Sequence, residues 1–116
     1  MNMEIKNEDY YINYNNETTT INCEGSLRLG GIKEYVPVVE LFNKVLDMEP
    51  PLITFDIRQL QFLNSSGINV LSKFVIKVRQ KKNVQMVVQG SKQIAWQGKS
   101  LKNLKRLMPS LQLEWM

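Results

Sequence analysis

Histidine is absent from this 116-residue sequence, and cysteine occurs once, as Cys23. The absence of histidine removes the usual imidazole base, the Ser-His-Asp arrangement and the commonest metal ligand. A single cysteine excludes an internal disulfide and a cysteine metal site. Its place in a strand pattern predicts a small buried core residue. We therefore expect no enzyme, no metal site and no cofactor.

Long apolar runs are also missing from the sequence. No run approaches the roughly 20 residues needed to cross a bilayer, and the polar, partly acidic N-terminus is unlike a signal peptide. These features favour a cytoplasmic protein without a membrane partner. The composition, 43% hydrophobic and 22% charged, is that of a globular chain. It predicts a single domain over residues 1–116, with residues 1–8 flexible.

Acidic residues are scarce in one half of the chain. Residues 57–113 contain eleven Lys and Arg but no Asp or Glu, whereas residues 1–56 contain ten acidic and four basic residues. A surface of one sign often meets a partner of the opposite sign. An acidic protein, a nucleic acid and an anionic membrane would each fit, and so would helix faces that only meet water.

Strand and helix patterns alternate along the sequence. Two runs rich in aromatic and β-branched residues, 10–14 and 18–23, predict an antiparallel hairpin with a left-handed turn at 15–17. Apolar spacing predicts helices over 34–47, from about 65 to 79, and from a cap at Ser100 onward. Apolar or alternating runs predict strands at 52–57, 84–88 and 111–115, the second of them covered on both faces. This order predicts an α/β domain with a mixed, mostly parallel sheet of about five strands and three main helices.

The segment Asn64-Ser65-Ser66-Gly67 lies where a predicted strand gives way to the second predicted helix. The first-turn amides of a helix have no intrahelical partner, and the helix dipole is positive at that end. Ser65 or Ser66 can therefore cap the helix, and a phosphate on either would meet an anion-binding site. The segment is thus either a simple cap or a phosphorylation switch.

This corner and its surroundings resemble the core signature of the STAS family, the anti-sigma-factor antagonist and sulfate-transporter domains. The matching residues are Phe62 and Asn64-Ser65-Ser66-Gly67-Ile68, where the family usually has Asp-Ser-Ser/Thr-Gly-Leu. Upstream, Gly25-Ser26-Leu27-Arg28 resembles the family's Gly-x-Leu-Asp. Asn64 and Arg28 replace the two family aspartates, so the resemblance is to a divergent bacterial branch with a STAS-like domain.

The resemblance implies a role in signal transduction and transcription regulation. In STAS antagonists, a partner kinase that is also an anti-sigma factor phosphorylates the serine after the aspartate, and a metal-dependent serine phosphatase reverses the modification. Carried over, Ser65 is the phosphorylation site of a partner-switching module whose unmodified form binds its partner through the 62–80 surface. We also count Trp96 as a candidate interface residue, expected in a loop. The predicted partner-binding residues are Arg28, Asn64, Ser66, Gly67, Asn69, Lys73 and Trp96.

Other functions stay open at this point. A constitutive adaptor without a phospho-switch fits the loss of both flanking carboxylates. The basic half suggests a nucleic-acid-binding domain, but no recognised binding motif supports it, and we rank it below a protein partner. An enzyme with Ser65 as the nucleophile would lack a base. We expect a monomer or weak dimer.

Overall fold

The computed structural model describes residues 3–116, which form a six-stranded sheet and three helices. The strands are β1 (Met3–Lys6), β2 (Tyr10–Asn15), β3 (Thr20–Leu27), β4 (Leu52–Leu63), β5 (Gln85–Gly90) and β6 (Gln112–Trp115). The helices are α1 (Val36–Asp47), α2 (Ser65–Gln80) and α3 (Ala95–Leu107). None of these helices is long and apolar enough to span a membrane.

The strands follow one another across the sheet in chain order. The pairs β1–β2 and β2–β3 are antiparallel, and the three pairs from β3 to β6 are parallel. One helix connects each parallel pair, and right-handed crossovers that advance in one direction place all three helices on the same face. The predicted α/β class, mostly parallel sheet and N-terminal hairpin are confirmed.

The two faces of the sheet differ in chemistry. Toward the helices, alternate strand residues are apolar and at most 1% exposed, among them Cys23, whose predicted burial is confirmed. The opposite face is polar, and its side chains bond to one another: Tyr11 donates to Glu4, Asn22 to Asn13, and Gln89 to Glu114. Besides Cys23, the apolar residues of the helix-facing side include Ile12, Ile21, Ile53, Phe55, Ile57, Met86 and Val88.

The apolar sequence of β5 predicted that helices cover the strand on both faces, and this prediction is wrong. Its helix-facing residues lie in the core, whereas Val87 lies on the polar face and is shielded between the neighbouring strands. A central strand in such a sheet can carry an apolar residue on its open face because the adjacent strands limit its contact with water.

Three further predictions need correction. The sheet has a sixth strand, β1, which lies within the segment predicted to be flexible; Met1 and Asn2 lie outside the described residues. Helix α3 begins at Ala95, so Ser100 lies inside the helix and does not cap it. In the hairpin turn the positive φ, 50°, occurs at Thr19, while Asn15 accepts hydrogen bonds from the amides of residues 17 and 18.

Candidate functional site

Asn64 is the N-cap of α2, and its side chain and backbone N–H make four hydrogen bonds. Its Oδ1 accepts from the Gly67 amide at 2.9 Å and from the Tyr35 hydroxyl at 2.7 Å. Its Nδ2 donates to the Leu29 carbonyl at 2.8 Å, and its backbone N–H donates to the Leu27 carbonyl at 3.1 Å. The cap therefore ties the start of α2 to α1 and to the end of β3.

The geometry of the cap suits an amide and not a carboxylate at this position. The Gly67 N–H can only donate, so it fixes the side-chain oxygen on its side of Asn64 and turns the NH₂ group toward the Leu29 carbonyl. An ionised aspartate has only acceptors and would set an oxygen against that carbonyl. The expectation that Ser65 or Ser66 caps the helix is wrong.

Tyr35 and Gly67 support the cap from inside the protein. Tyr35 is almost fully buried, and burial raises the pKa of its hydroxyl, which therefore stays protonated and able to donate at neutral pH. Gly67 is also buried; a Cβ there would clash with Leu63 and lie 2.6 Å from the Tyr35 hydroxyl oxygen. Gly67 thus permits close packing of the helix start and offers no side chain to a partner.

Ser65 is the first residue of α2, and its side chain is exposed. Within residues 3–116 its hydroxyl makes no hydrogen bond, so the cap does not occupy it. Ser66 is partly exposed on the side of α2 that faces α1. The predicted exposure of Ser65 at the start of the second helix is confirmed, and its phosphorylation stays a prediction.

Arg28 and Phe62 lie on the same edge of the sheet as the start of α2. Strands β3 and β4 run parallel, with Leu27 opposite Leu63, so the residues that follow both strands meet at one edge. The Arg28 guanidinium lies 4.7 Å from the centre of the Phe62 ring, which is 40% exposed. This cation–π contact places a positive charge on the surface near the cap.

A groove of about 310 Å³ separates α1 from α2. It contains three predicted site residues, Ser66, Asn69 and Lys73, which the structure therefore brings together. Sequence reasoning missed Ile32, which is 74% exposed beside the groove; an isoleucine after Gly30-Gly31 was the available signal. The remaining lining residues are Val39, Phe42, Asn43, Val70, Phe74 and Lys77.

Trp96 lies in α3, not in a loop, and on the other side of α2 beside Ile68 and Ser72. It is half-buried, and its indole N–H donates to the Gln61 carbonyl at 3.0 Å. Because β5 pairs with β4 only as far as Asp56, the later β4 carbonyls need other donors. Trp96 thus serves the fold and stands apart from the groove residues.

The adjacent Gln97 shares this task and is fully buried. Its Nε2 donates to the carbonyls of Ile57 and Leu60 at 2.8 and 3.2 Å, and its Oε1 accepts from the Ser91 amide at 2.8 Å. These bonds fix the start of α3 on the C-terminal half of β4, although α3 has no side-chain cap.

An ion pair on the polar sheet face joins Asp56 to Arg58 at 2.8 Å. Partial burial alone would raise the pKa of Asp56, but the hydrogen bonds and positive charge of Arg58 outweigh it and hold this pKa below its usual value. Within residues 3–116 no cluster of His, Cys, Asp and Glu is arranged to hold a metal ion.

The architecture is a STAS-like fold, and solved structures share it. SiaC of Pseudomonas aeruginosa aligns with a TM-score of 0.74 and 12% identity, over 98% of this chain and 96% of its own. A chain of the crystal structure of diguanylate cyclase SiaD in complex with its activator SiaC, also from Pseudomonas aeruginosa, aligns with a TM-score of 0.74 and 10% identity. The alignment covers 98% of this chain and 99% of that one.

An anti-sigma factor antagonist from Mycobacterium paratuberculosis aligns with a TM-score of 0.61 and 16% identity, over 97% of this chain and 84% of its own. No family model matches the sequence, and no curated protein matches it. At these identities the likeness is one of fold, and it confirms the STAS-like architecture expected from the sequence.

Proposed function

We propose that this chain is a non-enzymatic regulatory module that binds a partner protein through the 62–80 surface, under control of phosphorylation at Ser65. The observation that carries the proposal is the exposed Ser65 hydroxyl at the start of a helix that Asn64 already caps. The structural neighbours support a regulatory role, since one is named as an activator of an enzyme and another as an antagonist of an anti-sigma factor.

Phosphorylation of Ser65 would alter the surface while leaving the fold intact. A phosphoserine carries up to about −2 charge, and at this position it would lie beside the free amides and positive dipole of the first helical turn. The cap bonds belong to Asn64, so the added group does not replace them. A large negative charge in a protein contact brings repulsion and desolvation, which favours release of the partner.

Two classes of partner follow from this proposal. The STAS resemblance supports a serine kinase or anti-sigma-like protein, with a metal-dependent serine phosphatase to reverse the modification, in a cytoplasmic circuit that regulates transcription. The likeness to SiaC adds a signalling enzyme, since SiaC is named as the activator of a diguanylate cyclase. In both cases the chain acts by binding.

Phosphosite mass spectrometry on protein from its own cells tests the switch, together with binding of variants to the captured partner. Ser65→Glu should weaken binding and Ser65→Ala should bind like the wild type. Ser110→Glu is the matched control, because Ser110 is exposed in the turn before β6. If Ser65 is never modified and both variants bind alike, the module is a constitutive adaptor.

A nucleic acid is the second candidate partner, favoured by exposed cations on α3: Lys99, Lys102, Lys105 and Arg106. Anisotropy titration with a generic duplex separates the two functions. Tight binding at physiological salt, with a linear dependence of log K on log salt, would support nucleic-acid binding, and no binding at that salt would count against a nucleic-acid partner.

A further inference from the structure

We propose that the groove between α1 and α2 receives an amphipathic, acidic helix of the partner protein. Apolar side chains of that helix enter the groove, and its carboxylates meet the lysines at the rim. This inference rests on the proposed function, because it names the chemistry of the partner that the 62–80 surface binds.

The floor of the groove is apolar. Phe42 and Phe74, whose ring centres are 5.0 Å apart, form it, and Val39 and Val70 line its sides. Ile32 projects into solvent beside it. Phe42 and Phe74 are almost fully buried, so the accessible apolar surface comes from the partly exposed Val39 and Val70 and from Ile32. A volume of about 310 Å³ suits a few side chains.

The rim of the groove is positively charged. Lys73 and Lys77 lie on α2 one turn apart, and the lining includes no carboxylate. Neither lysine is within ion-pair distance of an Asp or Glu in the described part of the chain, and Lys77 bonds only to the neutral amide of Asn43. Complementary charge speeds association and excludes wrong partners, so an acidic occupant fits this rim.

The shape of the groove favours a helix. Its α2 lining residues recur at helical spacing from Ser66 to Lys77, a distance of about 16 Å at 1.5 Å per residue. The opposite wall is α1, so the groove is a trough between two helices. An amphipathic helix places residues at i, i+3, i+4 and i+7 into such a trough.

Ser65 lies one turn before Asn69 on α2 and therefore near the N-terminal end of the groove. A phosphate there would oppose the carboxylates of an acidic helix, whereas it would attract a basic one. Phosphorylation is expected to weaken partner binding, and this direction agrees with an acidic occupant.

The test begins with a random-peptide display selection against the purified protein. We expect selected peptides with large apolar residues at helical spacing and Asp or Glu between them. In fluorescence anisotropy, Lys73→Glu should weaken the best peptide roughly tenfold or more, whereas Lys82→Glu, the same charge change beyond the end of α2, should have little effect. Ile32→Ser should also weaken the peptide, and Met48→Ser, which alters an exposed apolar residue outside the groove, should not.

Selected peptides without acidic residues, or equal binding by wild type, Lys73→Glu and Ile32→Ser, would overturn the proposal. Sedimentation velocity checks a second copy of this chain as the occupant: a dimer that Ile32→Ser dissociates would also overturn it. If peptide binding depends on the groove residues but is unchanged by Ser65→Glu, this inference is upheld and the phosphorylation switch is contradicted. Failure of the inference and failure of the proposed function are therefore distinguishable.

Discussion

The bond between the Tyr35 hydroxyl and Asn64 Oδ1 can be measured with a double-mutant cycle. Asn64→Ala removes the cap of α2 and leaves the buried Tyr35 hydroxyl without its short 2.7 Å acceptor. It also removes the donor to the Leu29 carbonyl. Tyr35→Phe removes one hydroxyl and leaves Asn64 Oδ1 bonded to the Gly67 amide.

The expected costs follow from these partners. Loss of the cap costs about 1 kcal/mol, and a buried polar group left unpaired costs about 1–3 kcal/mol, so Asn64→Ala should destabilise the protein by about 2–4 kcal/mol. Tyr35→Phe alone should cost about 0.5–1.5 kcal/mol, the net value of one neutral hydrogen bond. In the Asn64→Ala background, Tyr35→Phe should be neutral or stabilising, because it removes a buried donor left with only the long 3.4 Å contact to the Leu27 carbonyl.

Urea unfolding of the two single variants and the double variant, followed by circular dichroism, gives the coupling energy. We expect about 1–2 kcal/mol, with an unchanged slope against urea. Ser65→Ala is the neighbouring control and should stay within about 0.5 kcal/mol, because Asn64 and not Ser65 is the cap. Additive costs in the cycle, or a large cost for Ser65→Ala, would refute the reasoning.

Three further outcomes are expected. Gly67→Ala should destabilise by about 1–3 kcal/mol in urea because its Cβ would clash with Leu63, and a neutral result would contradict this packing. Gln97→Leu should lower the thermal midpoint, by about 4–8 °C for each kcal/mol lost, since it strands the buried groups that Gln97 now satisfies. Arg58→Gln should cost at most about 1 kcal/mol near pH 7. Because the folded pKa of Asp56 is lowered, this stabilisation is present above the unfolded pKa of about 3.9 and disappears as the pH falls through the folded pKa. The urea midpoints of the wild type and Arg58→Gln should therefore converge in acid. A gap that stays constant with pH would contradict the assignment.

Local patterns predicted the elements whose burial repeats with a regular period. Helix α2 shows this, since Leu71, Phe74, Val75 and Val78 are all buried. The start of α3 could not be predicted in this way. Its first turns contain Gly98 and have no side-chain cap, and contacts of Trp96 and Gln97 with β4, more than 30 residues earlier, hold it in place.

The candidate site was predicted in part for the same reason. The serine corner is a local feature, and the sequence located it correctly at the start of α2. The identity of the cap depends on Tyr35 and Leu29, which are 29 and 35 residues from Asn64 along the chain. The groove likewise forms only when α1 packs beside α2, so the sequence predicted core positions for its apolar residues and did not predict a groove.

The residues at the serine corner bear on the proposed switch. Asn64 and Arg28 stand where the STAS signature that this corner resembles has aspartates, and residues 57–113 contain no Asp or Glu. A phosphate on Ser65 would therefore introduce negative charge near Arg28 and Lys73, although the carboxylate of Glu34 also belongs to the segment that packs against Asn64. Where two carboxylates already flank the serine, a phosphate only adds to an existing negative charge. Here the same added charge would oppose an acidic partner that Arg28 and Lys73 otherwise attract, which changes the contact from attraction toward repulsion.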